Sequence, residues 1–198
     1  MIGTRIRTRI ERRYLQSLYA AINCIYKTDK PYLLTFDDGP TPGLTEKIID
    51  ILKERNIQAV FFLLGKQIPE LSPDLSLYRE NNQLVGFHGY DHTPVNIGNT
   101  LDIWQRYLSD IYLKFDYIRP PYGLFDSAFL KFSRKINIPI MMWSMTTYDY
   151  RAKNPKRWAV DIAVNIKPGD VLLLHDSPKT KIFHPDALQY LLDYLDKK

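Results

Sequence analysis

Two aspartates stand side by side at Asp37 and Asp38, ahead of Gly39-Pro40, and two of the chain's four histidines, His88 and His92, are four residues apart. On a helical turn that spacing puts both imidazoles on one face, where they can grip a single ion. With Asp38 the pair makes two nitrogens and one carboxylate oxygen, three protein ligands with a coordination position left open. That donor set suits a catalytic Zn²⁺ rather than a structural one. Each half also has a plainer reading alone. An Asp-Gly pair commonly ends a strand in a turn, and a histidine pair at this spacing is at home on a solvated helix face. Consecutive residues of a continuing strand point to opposite sides, so it falls to the turn at Gly39-Pro40 to splay both carboxylates into one pocket.

Short β-rich apolar runs alternate with longer helical patterns from residue 31 onward. The runs are 32–36, 59–64, 84–87, 117–119, 138–143 and 171–175. Between them Ile48, Ile49, Ile51 and Leu52 form one helical stripe, Leu101, Trp104, Leu108, Ile111 and Tyr112 a second, and residues 129–136 a third. Pro42-Gly43 and Pro155 sit where helices start. A repeated β-α order demands a parallel sheet with helices outside it, as a barrel or an open doubly wound sheet. Such folds place their active sites at the carboxyl ends of the strands. Five of the six run ends carry ionisable or metal-ligating groups: Asp37-Asp38, His88 to His92, Arg119 to Tyr122, Trp143 to Asp149, and His175-Asp176. Three of the four histidines are among them, a clustering that a plain scaffold has no reason to show.

Thr35-Phe-Asp-Asp-Gly-Pro40, His88-x-x-x-His92, Arg119-Pro-Pro-Tyr122, Asp149 and Leu173-Leu-His175-Asp176, in this order and spacing, resemble the five motifs of polysaccharide deacetylases, the NodB-homology domain or carbohydrate esterase family 4. The resemblance runs over residues 31–176, and Ala59-Val-Phe-Phe-Leu-Leu-Gly65 resembles the family's second strand. It implies a distorted (β/α) barrel of parallel strands, whose closure six strand candidates leave open. It also implies removal of an N-acetyl group from an amino sugar in a glycan or glycolipid. Asp37 then matches the base that takes a proton from the attacking water, and Asp38, His88 and His92 match the ligands of one divalent ion. Zinc is the expected ion, with cobalt, nickel or manganese as alternatives. Arg119 matches the arginine that orients the base, and a cation there should depress the pKa of Asp37. Tyr122 matches the residue whose backbone N–H helps hold the oxyanion. His175 matches the acid that protonates the leaving amine, and Asp149 the carboxylate that holds it and raises its pKa. Leu173 matches the apolar wall for the acetyl methyl.

Three positions depart from the family pattern. Gly89 replaces a serine or threonine, so bracing of the metal loop falls to groups such as Asp91 or Thr93. In the fourth motif, commonly Asp-x-x-Asp-Trp, Thr146 and Tyr150 stand at the first and last positions. Tyr150, and Trp143 at a strand end, are candidate sugar-stacking residues. Deformylation or deacetylation of a lipid-linked sugar at a membrane surface stays open, as does O-deacetylation. So does an inert glycan-binding relative, against which the intact Asp37, Asp38, His88, His92, Asp149 and His175 argue.

The formal charge of +5 is unevenly placed. Residues 1–30 hold Arg5, Arg7, Arg9, Arg12, Arg13, Lys27 and Lys30 against Glu11 and Asp29, which leaves acids and bases equal in number over residues 31–198. That neutral body opposes a nucleic-acid-binding reading, which rests only on the arginine-rich start. The single cysteine, Cys24, excludes a disulfide framework and a CxxC site, and reads as a small apolar residue on a helix face. The chain divides into a basic amphipathic helical segment, 1–30, and a deacetylase-like domain, 31–198. Ile2, Ile6, Ile10, Tyr14, Leu18 and Ile22 form the segment's apolar stripe, which either packs on the domain or rests, through residues 1–26, on anionic lipid. No signal peptide is evident and the longest apolar run falls far short of the ~20 residues a membrane-spanning helix needs. The expected location is therefore the cytoplasm or the cytoplasmic face of a membrane. Nothing in the sequence indicates an oligomeric state. Trp104 and Trp158 read as helix-face core, His184-Pro185 as a helix start, and Asp176 as a cap for the turn at Ser177-Pro178.

Overall fold

The first apolar run extends past its last apolar residue. Strand β1 spans Tyr32–Gly39, so both aspartates fall within it, and it lies inside the sheet. With it are β2 (Val60–Leu63), β3 (Leu84–Phe87), β4 (Tyr117–Ile118), β5 (Met145–Thr146) and β6 (Asp170–His175), in the order β4-β3-β2-β1-β6-β5. Every neighbouring pair is parallel. The computed structural model describes residues 24–72, 74–95, 100–109, 113–180 and 186–197.

Alternation along the strands sorts two apolar faces. Leu34, Phe36, Phe61, Leu63, Val85 and Phe87 belong to the main core with the helices, while Leu33, Val60, Phe62, Met141 and Val171 form a smaller cluster on the other side. Thr35 and Asp37 share the parity of Leu33, which turns them toward the smaller cluster.

Helix α1 (Thr45–Glu54) buries Ile48, Ile49, Ile51 and Leu52, as its stripe requires. Two short helices follow, α2 (Ile68–Leu71) and α3 (Ser76–Glu80). Then come α4 (Thr100–Leu108), burying Trp104, and α5 (Ser127–Ile136), whose Asp126 cap accepts from Phe129 N at 3.0 Å. The Ile111 and Tyr112 end of the second stripe lies outside the described residues, as does His184. Helix α6 (Pro155–Asn165) starts at the expected proline, with Asn154 accepting from Arg157 N at 2.9 Å, and α7 (Asp186–Leu195) packs against it. A cap contributes about 1 kcal/mol, whereas each fully buried Leu, Ile or Phe contributes about 1.5–3 kcal/mol. The stripes therefore decide where these helices sit, and the caps only where they begin.

The run 138–143 does not form a strand. Only Ile140 and Met141 make single parallel bridges, to Ile118 and Ile25, and the last short strand falls at Met145–Thr146 instead. Pro139 has no N–H to give a ladder, and the carbonyls of Met141 and Met142 accept from the Arg119 guanidinium. No ladder joins edge strand β4 to edge strand β5 among the described residues, and the sheet stays open.

Residues 24–30, expected at the end of a helical segment, form no helix. Ile25 bridges Met141, Lys27 bridges Asp170, and Cys24 is buried in the core beside them. Residues 1–23, with the apolar stripe and the five arginines, lie outside the described residues. Among the described residues no helix is long and apolar enough to cross a membrane.

Candidate active site

The carboxyl end of β1 carries a bulge. Asp37 pairs with Phe62, but Gly39 rather than Asp38 pairs with Leu63, and Asp38 takes a left-handed φ of 74°. The skipped residue breaks strand alternation, so both carboxylates come within reach of one imidazole: His88 Nε2 lies 3.5 Å from Asp37 Oδ2 and 3.7 Å from Asp38 Oδ1. Gly39 is required by a neighbour. A Cβ there would lie 2.2 Å from Oδ2 of Asp176. Asp176 is not the turn cap its position suggests. It is fully buried, accepts from Thr45 Oγ1 at 2.7 Å, and burial pushes its carboxyl up to about 7.

Arg119 follows β4 and is wholly buried. Its Nη1 donates to Asp37 Oδ1 at 2.6 Å and to Thr35 Oγ1 at 2.9 Å, Nε to the Met141 carbonyl at 2.9 Å, and Nη2 to the Met142 carbonyl at 3.2 Å. The guanidinium also lies 3.8 Å from the centre of the Phe62 ring. A guanidinium so tied cannot swing away from Asp37, and its charge pulls the carboxyl's pKa down, as expected. Burial is the larger effect, however, and the net shift of Asp37 is upward.

His88 and His92 do not share a helical turn. They belong to the loop after β3, which bends through left-handed conformations at Gly89 (φ 85°) and His92 (φ 69°). The rings end 5.1 Å apart by a different route from the one their spacing suggests. Gly65 N and Lys66 N donate to the carbonyls of Gly89 and Tyr90, at 2.8 and 3.0 Å, and brace the loop through its backbone. Asp91 and Thr93, expected to support the ligands, form a local turn with each other at 3.1 Å. The hydroxyl missing at Gly89 leaves a trace. Trp104 Nε1 is buried without an acceptor, 3.4 Å from where a Cβ on Gly89 would lie.

His88 Nδ1 lies 2.8 Å from the Arg119 carbonyl, which can only accept, so Nδ1 carries the proton and Nε2 presents a lone pair. Burial pushes the His88 pKa down to about 3, which keeps the ring neutral. Its Nε2 faces Asp38 Oδ1, itself buried without a hydrogen-bond partner and 3.3 Å from His92 Nε2. One ligand atom from each of Asp38, His88 and His92 lies within 4.8 Å of the others. A lone pair aimed at an unpartnered carboxylate oxygen is unfavourable unless a cation stands between them. The three residues fit a divalent metal ion.

Across the cleft, His175 ends β6. Its Nδ1 lies 2.8 Å from Asp149 Oδ1 and its backbone N–H donates to Asp149 Oδ2 at 2.7 Å. Burial works against the charged imidazole, but the Asp149 hydrogen bond and the carboxylates of Asp149, Asp37 and Asp38 outweigh it and raise the pKa to about 9. Tyr150 stands edge-on to His175, with ring centres 5.2 Å apart.

These groups surround one cleft of about 400 Å³. Asp37, Asp38, His88, His92, Tyr122, Trp143, Tyr150, Leu173 and His175 all line it, while Arg119 and Asp149 stand behind their partners. Tyr122 takes a φ of 58° and its ring packs 4.3 Å from His92; Trp143 Nε1 donates to Thr146 Oγ1 at 3.1 Å. The eleven residues given site roles by the family resemblance thus come together here. Thr35, Tyr148, Ser177 and Lys179 had been given no role there. Thr35 stands in the first motif, but its bond to Arg119 spans 84 residues and leaves no local signal.

An open parallel sheet with helices, bearing an Asp-His-His group among titratable pairs at its strand ends, defines an α/β protein with a candidate metal centre at the carboxyl edge of its sheet. The family model for polysaccharide deacetylases matches residues 25–141, and the chain belongs to that family. It is 30% identical over 161 residues to the peptidoglycan-N-acetylglucosamine deacetylase PgdA of Listeria monocytogenes, covering 78% of this chain and 34% of that protein. It is 34% identical over 174 residues to a peptidoglycan-N-acetylglucosamine deacetylase of Bacillus cereus, covering 83% of this chain and 60% of the relative. The chain thus spans about a third of the length of the first relative and well over half of the second. A carbohydrate esterase family 4 pseudoenzyme from Bacillus anthracis superposes with a TM-score of 0.73 at 24% identity, over 87% of this chain and 64% of the other. That likeness concerns the fold alone, and a pseudoenzyme within it means that activity has to be argued from the residues.

Proposed function

We propose that the chain is a metal-dependent N-deacetylase that hydrolyses the acetamido group of an N-acetylated amino sugar in an envelope glycan. One observation carries the reading: a buried carboxylate, Asp37, and a histidine hydrogen-bonded to Asp149, His175, share one cleft with an Asp-His-His group that fits a divalent ion. The names of the relatives support the substrate class.

A divalent cation at Asp38, His88 and His92, zinc first and cobalt, nickel or manganese as alternatives, supplies Lewis acidity that polarises the amide carbonyl and acidifies water. The remaining work belongs to side chains of this protein. Asp37, held in one orientation by Arg119, accepts a proton from the attacking water, and the raised pKa makes it the stronger base. His175 gives its proton to the nitrogen as the C–N bond breaks, so the amine leaves neutral and the acetyl group leaves as acetic acid, which ionises to acetate in water. Asp149 keeps that proton on His175 beforehand. The Tyr122 backbone N–H shares the oxyanion in this reading. Leu173 offers the acetyl methyl an apolar wall, and Tyr150 and Trp143 present ring faces to the sugar.

Metal analysis of the purified protein, with acetate release from N-acetylglucosamine oligomers, tests the reading. The expected result is one bound divalent ion and acetate release abolished by Asp37→Asn. Acetate release that persists in Asp38→Asn after chelation would overturn the metal assignment. Binding of oligomers without any release would return the chain to the inert glycan binders.

A further inference from the structure

Beside the catalytic cleft lies a second cavity of about 390 Å³, and Thr146 and Tyr148 line both. Its far side is cationic: Arg151, Lys153 and Arg157 line it, all three exposed. Among the described residues none of the three forms an ion pair, and the one carboxylate lining the cavity is Asp161. The local excess stands out because residues 31–198 carry equal numbers of acids and bases. Arg157 and Lys153 flank the start of α6, where the first backbone N–H groups add positive potential, although Asn154 already accepts from one of them. On the near side Lys179 lines the catalytic cleft itself. A solvated charged face is usually convex and mixed in sign. This one is concave, of one sign but for Asp161, and shares a wall with the reacting centre.

We propose that this cavity is a subsite for an anionic group of the substrate, a carboxylate or phosphate carried by the glycan unit next to the N-acetylated sugar. The inference rests on the deacetylase reading and adds the charge of the substrate to it. A glycan running from the catalytic cleft over Tyr148 reaches the three cations without leaving the surface. The planar guanidinium forks of Arg151 and Arg157 match the paired oxygens of a carboxylate or phosphate. Exposed charges act weakly one by one and are screened by salt, so the subsite tunes KM at low ionic strength and leaves the chemical step alone.

Kinetics of the metal-loaded protein on three oligosaccharides of equal length test this: neutral N-acetylglucosamine oligomers, oligomers with alternating uronic acids, and phosphate-substituted oligomers. The expected result at low salt is a KM about tenfold lower for an anionic oligomer, an advantage that high salt removes. Lys153→Gln with Arg157→Gln should abolish the advantage while leaving kcat and KM on the neutral oligomer unchanged. The carboxylate and phosphate arms decide which anion is the ligand. Equal KM for neutral and anionic oligomers in the unaltered protein would overturn the subsite and leave the deacetylase reading standing. If no oligomer is hydrolysed, calorimetric binding separates the two readings. Salt-sensitive binding of an anionic oligomer that the double variant loses would support the subsite while the catalytic reading fails, and absence of binding would overturn the subsite. Salt dependence in the unaltered protein keeps the test valid should the double variant misfold.

Discussion

The two walls of the cleft each hold a histidine, His88 buried and His175 partly buried, whose Nδ1 lies 2.8 Å from a protein oxygen, yet the two are driven in opposite directions. His88 meets the carbonyl of Arg119, a neutral acceptor. Burial dominates, the pKa falls to about 3, and the ring offers a lone pair. His175 meets the carboxylate of Asp149. Burial opposes the charge here too, but Asp149 and the two aspartates across the cleft prevail, and the pKa rises to about 9. At equal donor distance the charge on the acceptor decides whether the imidazole is a ligand or an acid. The carboxylates repeat the lesson in reverse: Asp37 is pushed up by burial although Arg119 is bound to it at 2.6 Å.

The most severe way to break the contrast is to make both acceptors neutral. Asp149→Asn keeps an oxygen near His175 Nδ1 and removes its charge. Acetate release near neutral pH should drop by roughly 10²–10⁴-fold with metal content unchanged. NMR titration of the imidazole should place His175 well below 9, with only Asp37 and Asp38 left to oppose burial. A His175 still titrating near 9 would show that Asp149 is not what holds the proton.

On the opposite wall, Arg119→Met strips the buried carboxylate of Asp37 of its cation. Breaking a buried pair from one side costs about 3–5 kcal/mol, which urea denaturation would read directly. A loss under about 1 kcal/mol would mean that Asp37 is not truly sealed from water.

The same contrast has a pH signature. His175 holds its proton to about 9 in the folded chain against 6.5 ordinarily, so its stabilisation is whole below 6.5 and is lost as pH rises through 9. It amounts to roughly 3 kcal/mol. His88 runs the other way: its folded value is about 3, so its contribution is whole above 6.5 and is lost as pH falls toward 3. Unfolding free energies of the metal-free protein, measured against His175→Gln and His88→Gln over this range, should converge at opposite ends. Differences that stay flat with pH would end the comparison.

The mildest probe is Thr35→Val. Thr35 Oγ1 accepts from Arg119 and donates to the Leu172 carbonyl at 2.7 Å. Its loss leaves both buried groups short of a partner and should cost about 1–3 kcal/mol, with a smaller fall in kcat as Asp37 loosens. Thermal unfolding and kinetics measured together would check it, and an unchanged midpoint would make Thr35 a bystander.

Much of this was legible in the chain. The apolar stripe of α1, the proline that starts α6 and five of the six strands follow from periodicity and residue type, which act locally, while the motif residues were legible through their resemblance to a known family. What escaped was non-local. The run 138–143 looks like a strand because Ile140, Met141 and Met142 are apolar, but its carbonyls are claimed by a guanidinium from β4. His88 and His92 have helical spacing, yet a loop with two left-handed residues joins them. Asp37 and Asp38 converge because β1 skips a residue against β2, which neither strand reveals alone.

The sequence by itself determined which groups are available and in what order the strands deliver them, since side-chain chemistry and hydrophobic period are properties of neighbours along the chain. It could not determine the protonation state of those groups. An imidazole is indifferent near neutrality until burial and a partner bias it, and the partners come from afar: the carbonyl 31 residues beyond His88 and the carboxylate 26 residues before His175. Only the folded sheet brings those oxygens to 2.8 Å, where one unit of charge separates a metal ligand from a proton donor.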